Sequence, residues 1–177
     1  AWGRASKVSD ALYTNGSAWK LYDFSELSLA LGTLSSGVNY DVFIYDNSGN
    51  PTLDSPVAWS TDTARVTSVV LQNGIYVKNG EATRRYLGTF RTTSTTTTED
   101  SESKRFLWNM CHRVPRKLKS TPALDSWSYS INTWRAAANN TSAGRVEFIN
   151  GLNLEPVELS TYLPFQYSAG IVGYASG

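Results

Sequence analysis

A single cysteine, Cys111, stands among the 177 residues, so no internal disulfide can form. Small secreted domains are commonly stapled by several; this chain must instead rely on an apolar core, with oligomerisation as a further source of stability. One histidine, His112, beside that one cysteine cannot build a zinc or iron–sulfur site from soft ligands, and the expectation is a chain with no metal and no cofactor. Charge is sparse as well: charged residues make up 18% and the formal net charge is +1, which gives no general attraction to nucleic acid or to an anionic membrane. No apolar run approaches the ~20 residues a membrane span requires. Ala1-Trp2-Gly3 offers neither a methionine nor an apolar signal stretch, which reads as a processed or truncated chain, or as the visible part of a longer one.

What is present is apolar and aromatic. Hydrophobic residues reach 41%, too many for a disordered chain, and residues 1–177 read as a single domain able to bury a core. Short runs of β-branched and aromatic residues alternate with Gly, Asn, Asp and Ser. Leu12-Tyr13-Thr14, Asn15-Gly16 and Trp19-Lys20-Leu21-Tyr22 predict a hairpin, because Asn-Gly readily takes the positive φ angles of a type I′ turn. The same dipeptide recurs at Asn73-Gly74, Asn79-Gly80 and Asn150-Gly151. Strands are predicted at Val42-Phe43-Ile44-Tyr45, Val69-Val70-Leu71 and Ile75-Tyr76-Val77, and over residues 86–91, 105–114, 127–131, 146–149 and 169–174. Strict alternation over 126–131 implies one wet face, and the less regular 146–150 suits a strand covered on both sides. Helical signals are confined to Ser60-Thr61-Asp62, a cap for a short turn through Ala64 and Arg65, and to residues 134–138. The fold class expected is all-β: an antiparallel β-sandwich, jelly-roll-like, with long loops and little helix.

Candidate chemistry is thin. Cys111 and His112 are adjacent, and on a strand they point to opposite faces, so they cannot form a Cys–His dyad there. No nucleophile elbow, phosphate-binding loop or dinucleotide fingerprint occurs. A carboxylate pair for glycoside hydrolysis has no fixed spacing, so fifteen acidic residues say little about it. Asp46-Asn47-Ser48-Gly49-Asn50 has a calcium-loop composition without the distal Glu, and a plain β-turn is the preferred reading. The Thr/Ser-rich stretch 91–102 has no large apolar anchor and reads as a mobile hairpin tip or extended loop rather than a contact arm.

The sharpest charge feature is Arg113-Val114-Pro115-Arg116-Lys117-Leu118-Lys119. Arg113, Arg116, Lys117 and Lys119, with Trp2, are candidate contacts to a subunit or partner. The preferred alternative is a soluble strand end guarded by Lys and Pro, neutralised by Glu99, Asp100 and Glu102 within a subunit or across an interface. Nucleic-acid binding is not expected, since no aromatics interleave the basic residues. Six tryptophans and ten tyrosines exceed one small core, which leaves some for interfaces or a sugar platform.

Several segments resemble a family of virion structural domains of tailed bacteriophages, of head-decoration or tail-fibre type. They are Tyr40-Asp41-Val42-Phe43-Ile44-Tyr45, the run Ile75-Tyr76-Val77-Lys78-Asn79-Gly80-Glu81-Ala82-Thr83-Arg84-Arg85-Tyr86-Leu87-Gly88-Thr89-Phe90, Lys104-Arg105-Phe106-Leu107-Trp108-Asn109 and Arg145-Val146-Glu147-Phe148. Their order is similar too, with the Thr/Ser/Glu stretch before Trp108, then Trp127-Ser128-Tyr129 and Trp134-Arg135-Ala136-Ala137-Ala138-Asn139-Asn140. The resemblance covers residues 10–174. One departure is Met110-Cys111-His112, where aromatic residues are usual, so neither Cys111 nor His112 carries a family role.

The resemblance implies a non-enzymatic structural protein of the virion, assembled in the host bacterial cytoplasm. It would be a capsid decoration or cement protein or a tail-fibre domain, self-associating as a homotrimer and touching the major capsid protein or tail proteins, with no nucleic acid and no membrane. Alternatives are an adhesin for host-surface glycan and, last, a glycan-degrading enzyme. Arg84 and Arg85 are consecutive, so on a strand one points inward and requires a partner; one of them is expected in a structural ion pair.

Overall fold

The computed structural model describes residues 8–14, 18–120, 140–141, 144–154 and 158. Among them every regular element is a strand, and the chain is all-β. A first ribbon pairs β1 (Val8–Thr14) with β2 (Ala18–Phe24), antiparallel, closing on Thr14 opposite Ala18. The principal sheet holds β3 (Asn39–Asn47), β4 (Asn50–Leu53), β5 (Val57–Ala58), β6 (Val69–Gln72), β7 (Ile75–Lys78), β8 (Glu81–Arg91) and β10 (Leu107–Asn109). Its order is β4-β3-β8-β7-β6, with β5 beside β3 and β10 beside β8, and every pairing is antiparallel. A small parallel ribbon joins β9 (Lys104–Arg105) to β11 (Glu147–Phe148).

The turns follow their residues. Asn73 and Gly74 link β6 to β7 with φ of 51° and 82°, the two positive values a type I′ hairpin demands. Ser48 and Gly49 do the same between β3 and β4 at 54° and 94°. There Asp46 Oδ1 accepts from the Gly49 amide at 2.6 Å, so the Asp-rich stretch is a β-turn. Asn79-Gly80 links β7 to β8. The Thr/Ser stretch is a closed loop: Thr92 bridges Thr98, and the Thr93 amide donates to the Thr97 carbonyl at 2.9 Å.

The central strands β3 and β8 are covered on both faces. Tyr40, Val42 and Ile44 share one face of β3. Tyr40, Val42 and Phe90 pack there with Leu29, Leu31, Leu34 and Leu107, while Ile44 meets Tyr22 of the first ribbon, Phe24 and Leu27. Asp41 and Phe43 face the other way. A bulge makes the two faces compatible, since Val42 lies opposite Gly88 and Phe43 opposite Tyr86, leaving Leu87 as the extra residue on β8. Strand parity shifts across it. Tyr86 and Thr89 thereby join the Asp41 face, while Leu87 and Phe90 join the apolar one.

Some sequence readings are corrected. Residues 110–114 do not continue a strand, because the Asn109 side chain captures the backbone: its Oδ1 accepts from the amides of Cys111 at 2.8 Å and His112 at 3.0 Å. Residues 60–65 form no helical turn, since the Thr61 hydroxyl accepts from Ala64 and the Ser60 amide donates back to the Ala64 carbonyl. Asn150-Gly151 is not a hairpin turn. Around β11, Phe148 is 46% exposed while Ile149 is buried, so that strand is not covered on both sides. The segments 127–131, 134–138 and 169–174, the Asn15-Gly16 turn and Trp2 lie outside the described residues.

Phe90, with no exposed surface, anchors the apolar face. Phe90→Ala is expected to lower the unfolding free energy by about 3–5 kcal/mol, read from the midpoint of urea denaturation with an unchanged slope.

Candidate functional site

The densest polar cluster lies on the inner face of the β3–β8 pair. Asp41 sits opposite Thr89 in the ladder and is 1% exposed. A buried carboxylate is tolerated only when charge and hydrogen bonds replace its water. Arg65 supplies the charge, its Nε 2.7 Å from Asp41 Oδ2 and its Nη2 3.2 Å from Oδ1. The Thr89 hydroxyl donates to Oδ1 at 2.6 Å. Having spent its one proton there, Thr89 accepts from the Tyr86 hydroxyl, and Tyr86 in turn accepts from Arg65 Nη2 at 3.4 Å. The circuit closes on the carboxylate: Arg65 donates to Tyr86, Tyr86 to Thr89 and Thr89 to Asp41, while Arg65 also donates to Asp41 directly.

Rings and backbone complete the enclosure. The Arg65 guanidinium lies 4.2 Å from the Trp59 ring centroid, a cation–π contact, and Tyr86 stacks on Trp108 at 6.0 Å. Arg65 Nη2 also donates to the Gly151 carbonyl. Gly151 is required for that approach: a Cβ there would overlap the Tyr86 hydroxyl and the Trp108 ring and lie 2.8 Å from the Thr89 hydroxyl. The loop carrying Arg65 is tied down a second time. Asp62 Oδ1 accepts from Arg91 Nη1 at 2.6 Å, the same nitrogen donates to Asn39 Oδ1 at 2.9 Å, and Asn39 Nδ2 donates to the Asp62 carbonyl at 3.1 Å.

Burial, with the charge of Asp41 beside it, pushes the Tyr86 phenol above its ordinary value of 10.0. The protonated phenol is the form the circuit uses. Asp41, Tyr86 and Thr89 are each 1% exposed or less, so none reaches an external substrate; the cluster fixes β3, β8, the 59–65 loop and Gly151 against each other.

The residues singled out from sequence lie elsewhere. Arg84 pairs with Asp54 Oδ2 at 3.1 Å and covers the Tyr45 ring at 3.8 Å, with a quarter of its side chain exposed. Arg85 reaches the Cys111 sulfur at 3.8 Å. The basic segment lies along the acidic loop of the same chain. Asp100 sits between Arg116, at 2.7 Å, and Arg105, at 3.4 Å, while Arg105 Nη2 donates to the Lys117 carbonyl and the Lys119 amide to the Glu102 carbonyl. Arg113, Lys117 and Lys119 are exposed. Cys111 and His112 occupy an exposed Asx turn, so strand parity is not what orients them. Among the described residues no three potential metal ligands cluster, and no helix is long and apolar enough to cross a membrane. Sequence reasoning missed Asp41 and Arg65. The available signal was an Asp sharing a strand face with Phe43.

No protein-family model, curated protein or solved structure matches this chain.

Removing one partner of a buried pair strands the other. Asp41→Ala is expected to cost about 3–5 kcal/mol in denaturant unfolding, and Gly151→Ala about 1–3 kcal/mol through overpacking. The raised Tyr86 value also has a pH signature. Below pH 10 both folded and unfolded chains hold the proton and its stabilisation is complete; above it the unfolded chain releases the proton while the folded one retains it, so stability falls as pH rises. Tyr86→Phe is expected to flatten that alkaline decline in thermal melts taken across pH 9 to about pH 11.

Proposed function

We propose that this chain is a structural protein acting through subunit contacts on the surface of a tailed-bacteriophage virion, as a capsid decoration or cement protein or as a tail-fibre domain. The observation that carries the contact role is the closed Asp41–Arg65–Tyr86–Thr89 circuit. Its carboxylate, phenol and hydroxyl are spent on holding the sheet rigid, and Asp41, Tyr86 and Thr89 are each 1% exposed or less.

The particle location rests on the resemblance of residues 40–45, 75–90, 104–109 and 145–148 to virion domains. An apolar layer over Tyr40, Val42 and Ile44 on one face of β3, with the Arg65 loop and Gly151 over Asp41 on the other, suits a sandwich or jelly-roll. Such a rigid body stabilises whatever arrangement of neighbours it binds, by mass action. The glycan-binding alternative has less to stand on. Trp59 lies beneath Arg65 and Trp108 against Tyr86, so neither is a bare stacking platform.

Saturating particles that lack the protein with purified chain is expected to raise the temperature at which they release their genome, followed by dye access to DNA. Unchanged release with no density for the chain on the particle would refute the reading.

A further inference from the structure

The principal sheet ends differently on its two sides. At one margin, β4 carries Pro51 opposite Asp46. Because the Ser48–Gly49 turn closes on the bonded pair Asn47 and Asn50, position 51 is the one whose backbone nitrogen points outward, and proline has no proton there. That margin is guarded.

The other margin is β6, Val-Val-Leu-Gln, which has no charge, proline or bulge among the devices that usually protect an edge. Its outward groups follow from the same logic. Gln72 and Ile75 close the Asn73-Gly74 hairpin, and the Asn79 amide bonds the Ser68 carbonyl at 2.9 Å. Residues 68, 70 and 72 therefore face β7, and Val69 and Leu71 present their amides and carbonyls outward. Among the described residues no strand pairs with that side. The adjoining side chains are apolar and open: Leu71 is 60% exposed, Val66 68% and Val70 37%.

We infer that β6 is the self-association edge of this protein, pairing antiparallel with β6 of a second copy about a two-fold axis. A neutral strand has nothing to recognise a charged partner, but it is complementary to itself. On the far margin of another copy, Pro51 removes a donor that pairing of β6 with β4 would need, the head-to-tail arrangement that a three-fold ring built through sheet edges would use. One register uses every outward group: Val69 of each copy opposite Leu71 of the other, with the two Val70 residues facing across the axis as a non-hydrogen-bonded pair. The inference goes beyond the virion reading and does not depend on it, since association of the free chain is measured without particles.

The test is sedimentation of the full chain over a concentration series, with a Cys111→Ser background for cross-linking. The expected results are a reversible dimer, at least about tenfold weaker association in Leu71→Lys, and an oxidised dimer from Val70→Cys but not from Leu71→Cys, because only Val70 meets its own copy within disulfide reach. If Leu71→Lys does not fold, the cross-link pattern decides alone. A monomer at every concentration, a trimer, a cross-link favouring position 71, or slow hydrogen exchange at Val69 and Leu71 in a monomer would each overturn it. The last would mean that the chain's own residues cover the edge.

Discussion

A carboxylate with 1% of its surface exposed dictates much of this architecture. Asp41 stands in the middle of the most buried strand, where an uncompensated charge would unfold the domain. Its compensation comes from three separate stretches of sequence. Arg65 arrives on a loop, Thr89 and Tyr86 on the neighbouring strand, and the Gly151 carbonyl steadies the guanidinium from a distant segment. Each contributor must be held at its own place for the charge to be tolerable. The circuit therefore acts as a specification as well as a source of stability: slipping β3 against β8 by one residue would turn Asp41 away from Arg65 and into the Leu-rich face.

The bulge at Leu87–Gly88 is the device that reconciles this polar face with the apolar one. Without the extra residue, Tyr86 and Phe90 would share a face, and Thr89 would oppose both. With it, Tyr86 and Thr89 serve Asp41, while Leu87 and Phe90 fill the side beneath Tyr40 and Val42. Phe43 and Tyr86 then meet at 5.8 Å and Tyr40 stacks on Phe90 at 5.6 Å, so aromatic pairs reinforce both sides of one strand pair.

The local parts of this fold were legible in the sequence and the long-range parts were not. Asn73-Gly74 announces its turn because the φ requirement is met by those two residues alone, and Asp46 likewise reaches only three residues to its turn amide. The all-β class follows from many such signals. Residues 110–112 were misread because an Asn side chain outcompeted the ladder for the backbone amides, a contest that apolar patterning does not register. The Asp41–Arg65 pair spans 24 residues and is set by tertiary approach. The Arg84-Arg85 doublet is the more conspicuous feature of the sequence, yet Arg84 lies over the Tyr45 ring with a quarter of its side chain exposed. Asp100, by contrast, does lie beside the basic segment that follows it, as local charge balance suggested.

A sheet whose central strands are covered on both faces can offer neighbours only its margins and loops. This separates two consequences of mutation. Substitutions around Asp41 alter the fraction of chains that are folded, and with it every association equally, because only the native state binds. Substitutions on β6 or along the Arg116–Asp100 strap alter one contact and leave the core intact. The β6 edge and the 113–119 strap also respond differently to solvent: apolar strand pairing at β6 is not screened by salt, whereas contacts made through the exposed cations of residues 113–119 weaken as salt screens them. A contact that survives high salt but fails with a single lysine on β6 belongs to the sheet edge; the opposite behaviour assigns it to the strap.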